Sequence, residues 1–405
     1  MTGHDHSPRP GERALAPDLA RGIMLLFIAL ANVSWYLYGA PTSAASAHRA
    51  DATGPDALWQ SVSIVAVDGR SYPLFAFLFG YGIWQAYTRR RTAGQDEADA
   101  RRSLQSRHLW LLAFGAVHAA LLWQGDVLGA YGLIGLIVTG LFLRRSNRTL
   151  AVWALVLGGL LGLLSVLTLV AGAAAPATGA AVSEGAVPQF AAVTPYADSI
   201  LVRLRMWPLL TVGQGVLGLV VPVAVLTAIL CARHRILESP ERHRPLLSAV
   251  AVAGVTAGWL GAVPSVLVQQ GSWDVPVWTP LMFNGLTGLF AAFGYVALIA
   301  LLAARLSAAR AHRGPVRALS ALGRRSLSGY LLQSVLFAPL LCAWGLGLGG
   351  VLAQWQAVLV AVAVWLFTLV LAAVLDHAGR PGPAERLLRA LVHRDRRPRG
   401  APVAS

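Results

Sequence analysis

Long apolar runs separated by short polar connections dominate the chain from residue 19 to residue 375. Ten of these runs approach the ~20 residues that an α-helix needs to cross a bilayer. The predicted spans are 19–39, 66–87, 108–124, 127–143, 150–174, 207–232, 246–269, 281–304, 327–347 and 351–375. This pattern predicts an all-α, polytopic integral membrane protein with about ten transmembrane helices.

The composition supports the same fold class. Hydrophobic residues make up 56% of the 405 residues and charged residues only 13%, and the mean hydropathy is +0.60. A soluble protein contains about 25% charged residues, which cover its surface. The low charge therefore excludes a soluble globular domain and makes the lipid bilayer the first expected partner.

Arginine alone supplies the positive charge, because the sequence contains no lysine and has a formal net charge of +15. The arginines lie mostly in short connections, which indicates membrane orientation and contact with anionic lipid rather than nucleic-acid binding. With a cytoplasmic N-terminus, the arginine-rich segments all face the cytoplasm. These segments are 1–18, 88–107, 144–149, 233–245, 305–326 and 376–405. The positive-inside rule therefore predicts that both termini are cytoplasmic.

The predicted spans form two halves of five helices each. The division is a cytoplasmic N-terminal segment 1–18, a transmembrane half 19–174 that carries the candidate site, an extracytoplasmic loop 175–206, a second transmembrane half 207–390 and a disordered basic tail 391–405. Cys231 and Cys342 lie in apolar runs, where free cysteine usually behaves as a small hydrophobic residue. The pattern leaves the oligomeric state open, a homodimer included.

Five polar residues lie in or beside the outer halves of the first three predicted spans: Asn32, Asp68, Arg70, His118 and Asp126. An ionisable side chain within a span costs at least about 2.5–3.5 kcal/mol on insertion scales, so it is usually paired and functional. The predicted topology brings the five groups together in the outer leaflet.

Two interpretations of this outer group remain open. In the functional one, His118 or Asp126 is a general base for an acceptor hydroxyl or amine, and the Asn32 amide donates to an oxyanion. Histidine suits proton transfer because its pKa lies near neutrality. In the structural one, His118 and Asp126 lock a tight helical hairpin, and Asp68 and Arg70 form a surface pair.

Several sequence signatures are missing. A P-loop cannot occur without lysine, and the sequence has no CxxC pair, HExxH or GxSxG motif. No cluster has metal-ligand spacing, so we expect no metal. An ATP-driven pump and a membrane metalloprotease are both disfavoured.

Motifs spread over nearly the whole chain resemble those of the YeiB family of bacterial inner-membrane proteins, which share a C-terminal domain of unknown function. They are DLARGIMLL (18–26), DGRSYPLFAFLFGYG (68–82), RHLWLLAFGAVHAALLWQGDVLGAYGLIG (107–135), GRRSLSGYLLQS (323–334) and GPAERLLR (382–389). The resemblance implies a multi-pass protein of the bacterial inner membrane. The family's C-terminal motifs fall in the predicted second half.

This family is in turn similar to a superfamily of membrane acyltransferases that includes heparan-α-glucosaminide N-acetyltransferase. That enzyme transfers acetyl groups from cytosolic acetyl-CoA to a glucosamine across the membrane. The resemblance implies an acyl-CoA donor and a small-molecule or glycan acceptor. Its residues map onto Asp18, Arg21, Gly22 and Asn32 in the first span, and onto Asp68 ahead of the second.

The catalytic histidine of that enzyme has no counterpart at the matching distance. It lies about ten residues before the aspartate, where this chain has Leu58 and Trp59. His48, the one histidine of that loop, lies twenty residues before Asp68. Three alternatives follow: His48 reaches the site from a longer loop, His118 replaces it, or the chain does not catalyse this reaction.

The donor site implied by the resemblance lies on the predicted inner face. Asp18 and Arg21 share a helix face. Together with Arg324 they are candidates for binding CoA phosphates, because a guanidinium binds phosphate bidentately. The alternative is that these arginines only anchor the helices at the interface.

Three further residues complete the candidate donor contacts: Arg70, Tyr131 and Gln333. Gln333 is equally suited to a hydrogen bond between helices.

Our leading hypothesis is a membrane acyltransferase that moves an acyl group, including acetyl, from cytosolic acyl-CoA to an acceptor at the outer side. The alternative is a small-solute transporter or exporter that uses the buried histidine and aspartates as a proton relay. A third possibility is a membrane scaffold, which needs no convergent polar cluster.

Overall fold

The computed structural model describes residues 15–43, 46–175, 190–306 and 314–394. Within these ranges the chain is all-α, and its extended backbone is limited to an isolated antiparallel bridge between Thr42 and Arg49. The predicted fold class is therefore confirmed. Most of the predicted segments 1–18 and 391–405, and part of the loop 175–206, lie outside the described residues.

The N-terminal half contains a series of helices joined by short connections. They are α1 (Leu15–Val33), α2 (Gly54–Ala66), α3 (Ser71–Thr92), α4 (Glu97–Leu121), α5 (Leu128–Ile137) and α6 (Asn147–Ala173). α5 continues into a π-helical turn, Val138–Phe142. Side-chain caps start two of the helices, since Asp96 accepts from the Asp99 amide and Ser146 accepts from the Thr149 amide.

The C-terminal half continues with helices of the same kind. They are α7 (Tyr196–Val212), α8 (Val220–Arg233), α9 (Arg244–Leu260), α10 (Val263–Gln269), α11 (Leu281–Ala304), α12 (Gly314–Arg324), α13 (Ser326–Leu341), α14 (Gln354–His377) and α15 (Pro383–Arg394). α12 and α15 are short and amphipathic, and both lie at the arginine-rich end of the bundle, which we call the basic end.

Six helical stretches of the described chain are long and apolar enough to cross a membrane. They are Leu15–Tyr36, Gly54–Thr92, Asn147–Ala173, Arg244–Gln269, Leu281–Ala304 and Gln354–His377. A bent pair, Tyr196–Leu217 with Val220–Arg233, adds a broken span. Leu128–Phe142 and Ser326–Leu341 are shorter apolar helices. The chain is thus a multi-pass membrane protein, and the count of ten spans stays a prediction.

The structure breaks the predicted span 207–232 into two helices. A π-helical turn, Gly213–Leu217, separates α7 from α8, and the two parts are bent by 49°. The glycine-rich sequence explains the break, because each glycine inside a helix costs about 1 kcal/mol relative to alanine. Trp207 on α7 is thereby held beside α5.

α1 lies at the centre of the bundle, where it packs against α3, α11, α12 and α14. Met24 and Leu25 on α1 are completely buried in the main core, as is Tyr81 on α3. This position matters for function because α1 runs from the basic end to the opposite end.

Two glycines allow α1 and α12 to pack backbone to backbone. A Cβ atom on Gly323 would collide with the main chain of Asp18, and one on Gly22 would collide with the main chain of Leu319. The close contact of α1 and α12 therefore depends on the missing side chains.

Arginines bond the carbonyl groups at the ends of several helices. Arg203 is completely buried and donates to the Ala120 carbonyl at 2.9 Å, where α4 ends. Arg233 donates to the Leu143 carbonyl at 2.9 Å, just after the π-helical turn. These carbonyls have no partner within their own helices, so the guanidinium groups satisfy them.

We expect Gly323→Ala to lower the free energy of unfolding by about 1–3 kcal/mol, the usual cost of overpacking. The added methyl group would force α1 and α12 apart. The thermal unfolding midpoint of the detergent-solubilised protein measures this.

Gly159→Ala is the matched control, because a Cβ atom on Gly159 meets nothing within 4 Å. An equal drop in both variants would contradict the packing argument.

Candidate functional site

His48 and Asp68 form a hydrogen-bonded pair at the end of the bundle opposite to the basic end. The His48 Nε2 and Asp68 Oδ2 atoms lie 2.6 Å apart. His48 exposes only 3% of its side chain and Asp68 25%. The histidine is therefore enclosed, while its partner carboxylate remains open to a second molecule.

The loop between α1 and α2 folds back on itself to place His48. Thr42 and Arg49 form the antiparallel bridge, and the Ser43 amide donates to the His48 carbonyl at 3.0 Å. On the other side, the Asp68 amide donates to the Ser63 carbonyl at 2.7 Å, which anchors the aspartate at the end of α2. The folded loop between α1 and α2 thus brings His48 next to Asp68, although twenty residues separate them in the sequence.

Arg70 stabilises the turn between α2 and α3 that carries Asp68. Its guanidinium is completely buried and donates to the Asn284 side chain and to the Gly258 carbonyl, each at 2.7 Å, as well as to the Asp68 carbonyl. These contacts join the start of α3 to α9 and α11. Arg70 is thus an internal contact and not part of a surface pair.

His118 and Asp126 form a separate buried pair at the hairpin between α4 and α5. The His118 Nδ1 and Asp126 Oδ1 atoms lie 2.7 Å apart. The other carboxylate oxygen accepts from the Gly129 amide at 2.7 Å and from the Trp207 indole at 3.4 Å. The His118 Nε2 atom has no hydrogen-bond partner among the described residues, and its ring meets the edge of Tyr330.

The outer polar residues thus form separate contacts and not the single group that the predicted topology suggested. No hydrogen bond or ion pair among the described residues joins the His48–Asp68 pair to the His118–Asp126 pair. Asn32 is half-buried on α1, two residues before Ser34, and its amide has no hydrogen-bond partner in the described chain.

A cavity of about 1220 Å³ opens at the basic end. Eight arginines line it: Arg21, Arg89, Arg90, Arg107, Arg233, Arg235, Arg324 and Arg389. The acidic residues in its lining are Asp18, Glu238 and Glu385. The cavity therefore carries an excess of positive charge, as a site for a polyanion requires.

Burial and the surrounding positive charge lower the pKa of one arginine in the cavity. The pKa of Arg107, which precedes the predicted span 108–124, is lowered to about 10. Burial is the main cause, and the charges of Arg90, Arg21 and Arg89 lower it further. A bound anion would relieve this repulsion.

One face of α3 forms the wall of the cavity, from Arg90 at the mouth through Ala86, Gly82 and Phe79 to Phe75. At 1.5 Å per residue, this face extends over roughly 22 Å. Phe75, Leu128 and Tyr131 make the inner end apolar.

A hydrogen bond joins the inner end of the cavity to the main chain of α3. The Tyr131 hydroxyl donates to the Tyr72 carbonyl at 2.8 Å. Asp68 precedes Phe75 by seven residues and lies in the turn just before α3 begins at Ser71. α3 therefore connects the basic cavity to the His48–Asp68 pair.

The candidate donor residues divide into two groups. Asp18, Arg21, Tyr131 and Arg324 line the cavity, and the Arg21 guanidinium donates to the Asp18 carboxylate at 3.1 Å. Arg70 does not line it.

Gln333 lies outside the cavity and donates to the Leu25 carbonyl at 3.0 Å. It therefore joins α13 to α1, as the structural alternative proposed.

The C-terminal helix α15 covers part of the cavity mouth. Leu388 and Val392 pack against Leu111 on α4, and the Glu385 carboxylate accepts from the Leu327 amide at 2.9 Å. Neither this covering helix nor the glutamines near His48 were predicted from the sequence.

No group of three or more potential metal ligands occurs among the described residues. The two ends offer proton transfer at a carboxylate–imidazole pair and anion binding by guanidinium groups.

Comparisons with known proteins show the following similarities. Residues 231–395 match a family described as a protein of unknown function (DUF418). The chain is 28% identical over 414 aligned residues to the uncharacterized protein YeiB of Escherichia coli (strain K12), covering 95% of this chain and 97% of that protein. It is 27% identical over 336 residues to the uncharacterized protein YxaH of Bacillus subtilis (strain 168), covering 79% and 78% respectively.

We expect Asp126→Leu to destabilise the fold by about 1–3 kcal/mol for each buried donor that loses its acceptor. The donors are the Gly129 amide, the Trp207 indole and His118. Asp126→Asn should be milder, because its amide oxygen still accepts. Thermal unfolding in detergent measures both.

Asp274→Leu, at an exposed loop carboxylate, is the control. If Asp126→Leu unfolds at the same temperature as this control, the hairpin does not depend on the pair.

Proposed function

We propose that this chain, which is similar to the YeiB-like family of membrane proteins, is a membrane acyltransferase. An acyl group, such as acetyl, would pass from cytosolic acyl-CoA to an acceptor at the outer side of the membrane. The acceptor class is a small molecule or a glycan.

The observation that carries this proposal is the course of the basic cavity along α3. Its mouth is lined by arginines, its inner end is apolar, and that end lies at Phe75, seven residues along the chain from Asp68. Acyl-CoA has the matching arrangement, with phosphates at one end and a thioester at the end of a long arm. The donor's phosphates would bind at the mouth while its thioester approaches Tyr131.

The arginines suit the donor for a physical reason. A guanidinium presents a planar set of donors that matches phosphate oxygens, and hydrogen bonds between ionised groups are about twice as strong as neutral ones. The side chains of Arg107, Arg235 and Arg389 make no hydrogen bond or ion pair among the described residues. Their donors are therefore available to a ligand.

The charge distribution supports the proposed orientation. By the positive-inside rule, the basic end faces the cytoplasm, where acyl-CoA is made, and the His48–Asp68 pair faces the outer side. A donor and an acceptor from opposite sides would then meet between α1, α3 and α5.

The proposed reaction is the aminolysis or alcoholysis of a thioester. The acceptor's nitrogen or oxygen attacks the carbonyl carbon, the carbon–sulfur bond breaks, and CoA leaves as a thiolate. The acceptor's proton moves to the His48–Asp68 pair and returns to the thiolate as CoA thiol. Asn32, with its unpartnered amide, is the candidate donor to the developing oxyanion.

A small-solute transporter is the second candidate, favoured by the bend of 49° between α7 and α8. Trp207 on α7 contacts Asp126, so a movement of the broken helix would reach the His118–Asp126 pair. Proton-coupled solute flux without acyl transfer would favour this function.

We expect a double variant, Arg107→Gln with Arg235→Gln, to bind acetyl-CoA at least tenfold more weakly than wild type. A hydrogen bond to a charged group contributes about 1.5–3 kcal/mol, and about 1.4 kcal/mol is a tenfold change in affinity. Equilibrium binding of labelled acetyl-CoA to the purified protein in detergent measures the effect.

The control is Arg148→Gln with Arg386→Gln, which removes the same charge at exposed arginines outside the cavity. Equal weakening in both double variants would show that net charge, and not contact in the cavity, determines the affinity. A folded wild-type protein that shows no saturable binding up to millimolar acetyl-CoA would rule out this donor.

We expect Asp68→Asn to reduce acyl transfer by about 10²–10⁴-fold, the usual contribution of general base catalysis. Acetyl-CoA affinity should stay unchanged, because the pair lies outside the cavity. The assay follows radiolabel from acetyl-CoA into extracted envelope glycans and lipids added to proteoliposomes.

Asp274→Asn serves as the control, since it changes an exposed carboxylate in the loop before α11. Full activity of Asp68→Asn in this assay would remove the His48–Asp68 pair from the mechanism.

A further inference from the structure

Three glutamines from different parts of the chain form a hydrogen-bonded chain that ends at His48: Gln269 on α10, Gln60 on α2 and Gln354 on α14. We propose that this glutamine chain fixes His48 in the tautomer that carries its hydrogen on Nε2, so that Asp68 is the group of the pair that accepts a proton. The role of Asp68 as proton acceptor rests on the proposed function, whereas the tautomer of His48 does not.

The orientation of the chain starts at a main-chain carbonyl. The Arg49 carbonyl can only accept, and it receives the Gln60 Nε2 donor at 3.0 Å and the Gln269 Nε2 donor at 3.2 Å. The Ser46 hydroxyl donates to the Gln269 Oε1 atom at 2.9 Å. Both amide groups therefore have a defined direction, with nitrogen toward Arg49.

The orientation of the Gln60 amide determines that of the Gln354 amide. The Gln60 nitrogen also donates to the Gln354 Oε1 atom, at 2.8 Å. The Gln354 nitrogen consequently faces the Ser34 hydroxyl at 3.1 Å and the His48 Nδ1 atom. Turning the Gln354 amide over would set two nitrogen donors against each other in a buried place, which costs the hydrogen bonds of both.

The orientation of the Gln354 amide determines the tautomer of the His48 imidazole. Because Gln354 donates to it, the His48 Nδ1 atom must present a lone pair, and the hydrogen of a neutral ring is then on Nε2. That hydrogen is donated to the Asp68 carboxylate at 2.6 Å. Both ring nitrogens are thus occupied, and neither can take a proton from an acceptor molecule.

Asp68 is the remaining group that can do so. Its carboxylate is one-quarter exposed, whereas His48 is enclosed. In the proposed reaction the acceptor's O–H or N–H bond breaks, and its proton goes to a carboxylate oxygen of Asp68 before it reaches the leaving thiolate. His48 and Gln354 are positioning residues, since they hold the carboxylate without touching the acceptor.

Magic-angle-spinning NMR on the full chain in lipid vesicles tests the tautomer directly. With ¹⁵N in the histidine rings, protonated and bare nitrogens resonate in separate regions, and the signals lost in His48→Asn identify His48. At neutral pH we expect a protonated Nε2 and a bare Nδ1. The opposite tautomer, or a ring protonated on both nitrogens, would overturn the proposal.

Gln354→Glu tests the origin of the tautomer at nearly unchanged shape. A carboxylate beside Nδ1 accepts instead of donating, so we expect both nitrogens of His48 to become protonated. The control is Gln356→Glu, two residues along α14, whose side chain bonds the Ala353 amide instead. If Gln354→Glu leaves Nδ1 bare, or Gln356→Glu changes the ring equally, the glutamine chain does not set the tautomer.

The NMR result does not depend on acyl transfer. A protein that shows the Nε2–H tautomer but no transfer would refute the proposed function alone. One that transfers acyl groups from the opposite tautomer would refute this inference alone.

Discussion

Every helix that ends within an apolar environment leaves carbonyl groups without partners, and this constraint shapes the whole molecule. The chain meets it with arginine. Arg203 serves the end of α4, Arg233 the end of the π-helical turn after α5, and Arg70 the last turn of α9. A guanidinium has five donors, so it can satisfy several carbonyls while its charge offsets the negative end of the helix dipole. The arginines therefore act as internal connectors as well as interface anchors.

The sequence predicted the fold class and the positions of most helices, because apolar runs and their polar ends are local features. The predicted span 281–304 coincides with α11, which lies between Pro280 and Arg305. The breaks after Val212 and Leu260 were not predicted, since they depend on how neighbouring helices pack around glycine-rich turns. Helix α2 was also missed, because its apolar residues are too few for a span.

The candidate site was predicted only in part. Asp68 and the pairing of His118 with Asp126 followed from polar residues in or beside apolar runs. The contact of His48 with Asp68 depends on a loop that folds back, and Gln354 reaches His48 from 306 residues further along the chain. No periodicity or spacing encodes such a contact, so it appears only once the helices are assembled.

The arginine lining of the cavity has a chemical consequence beyond anion binding. An acyl-CoA ligand bound there would meet eight guanidinium groups and not a single lysine amine. An amine whose pKa falls among like charges becomes a nucleophile and would be acylated by such a ligand, whereas a guanidinium stays protonated and inert. Concentrating positive charge in this form would let the chain hold the proposed acyl donor without modifying itself.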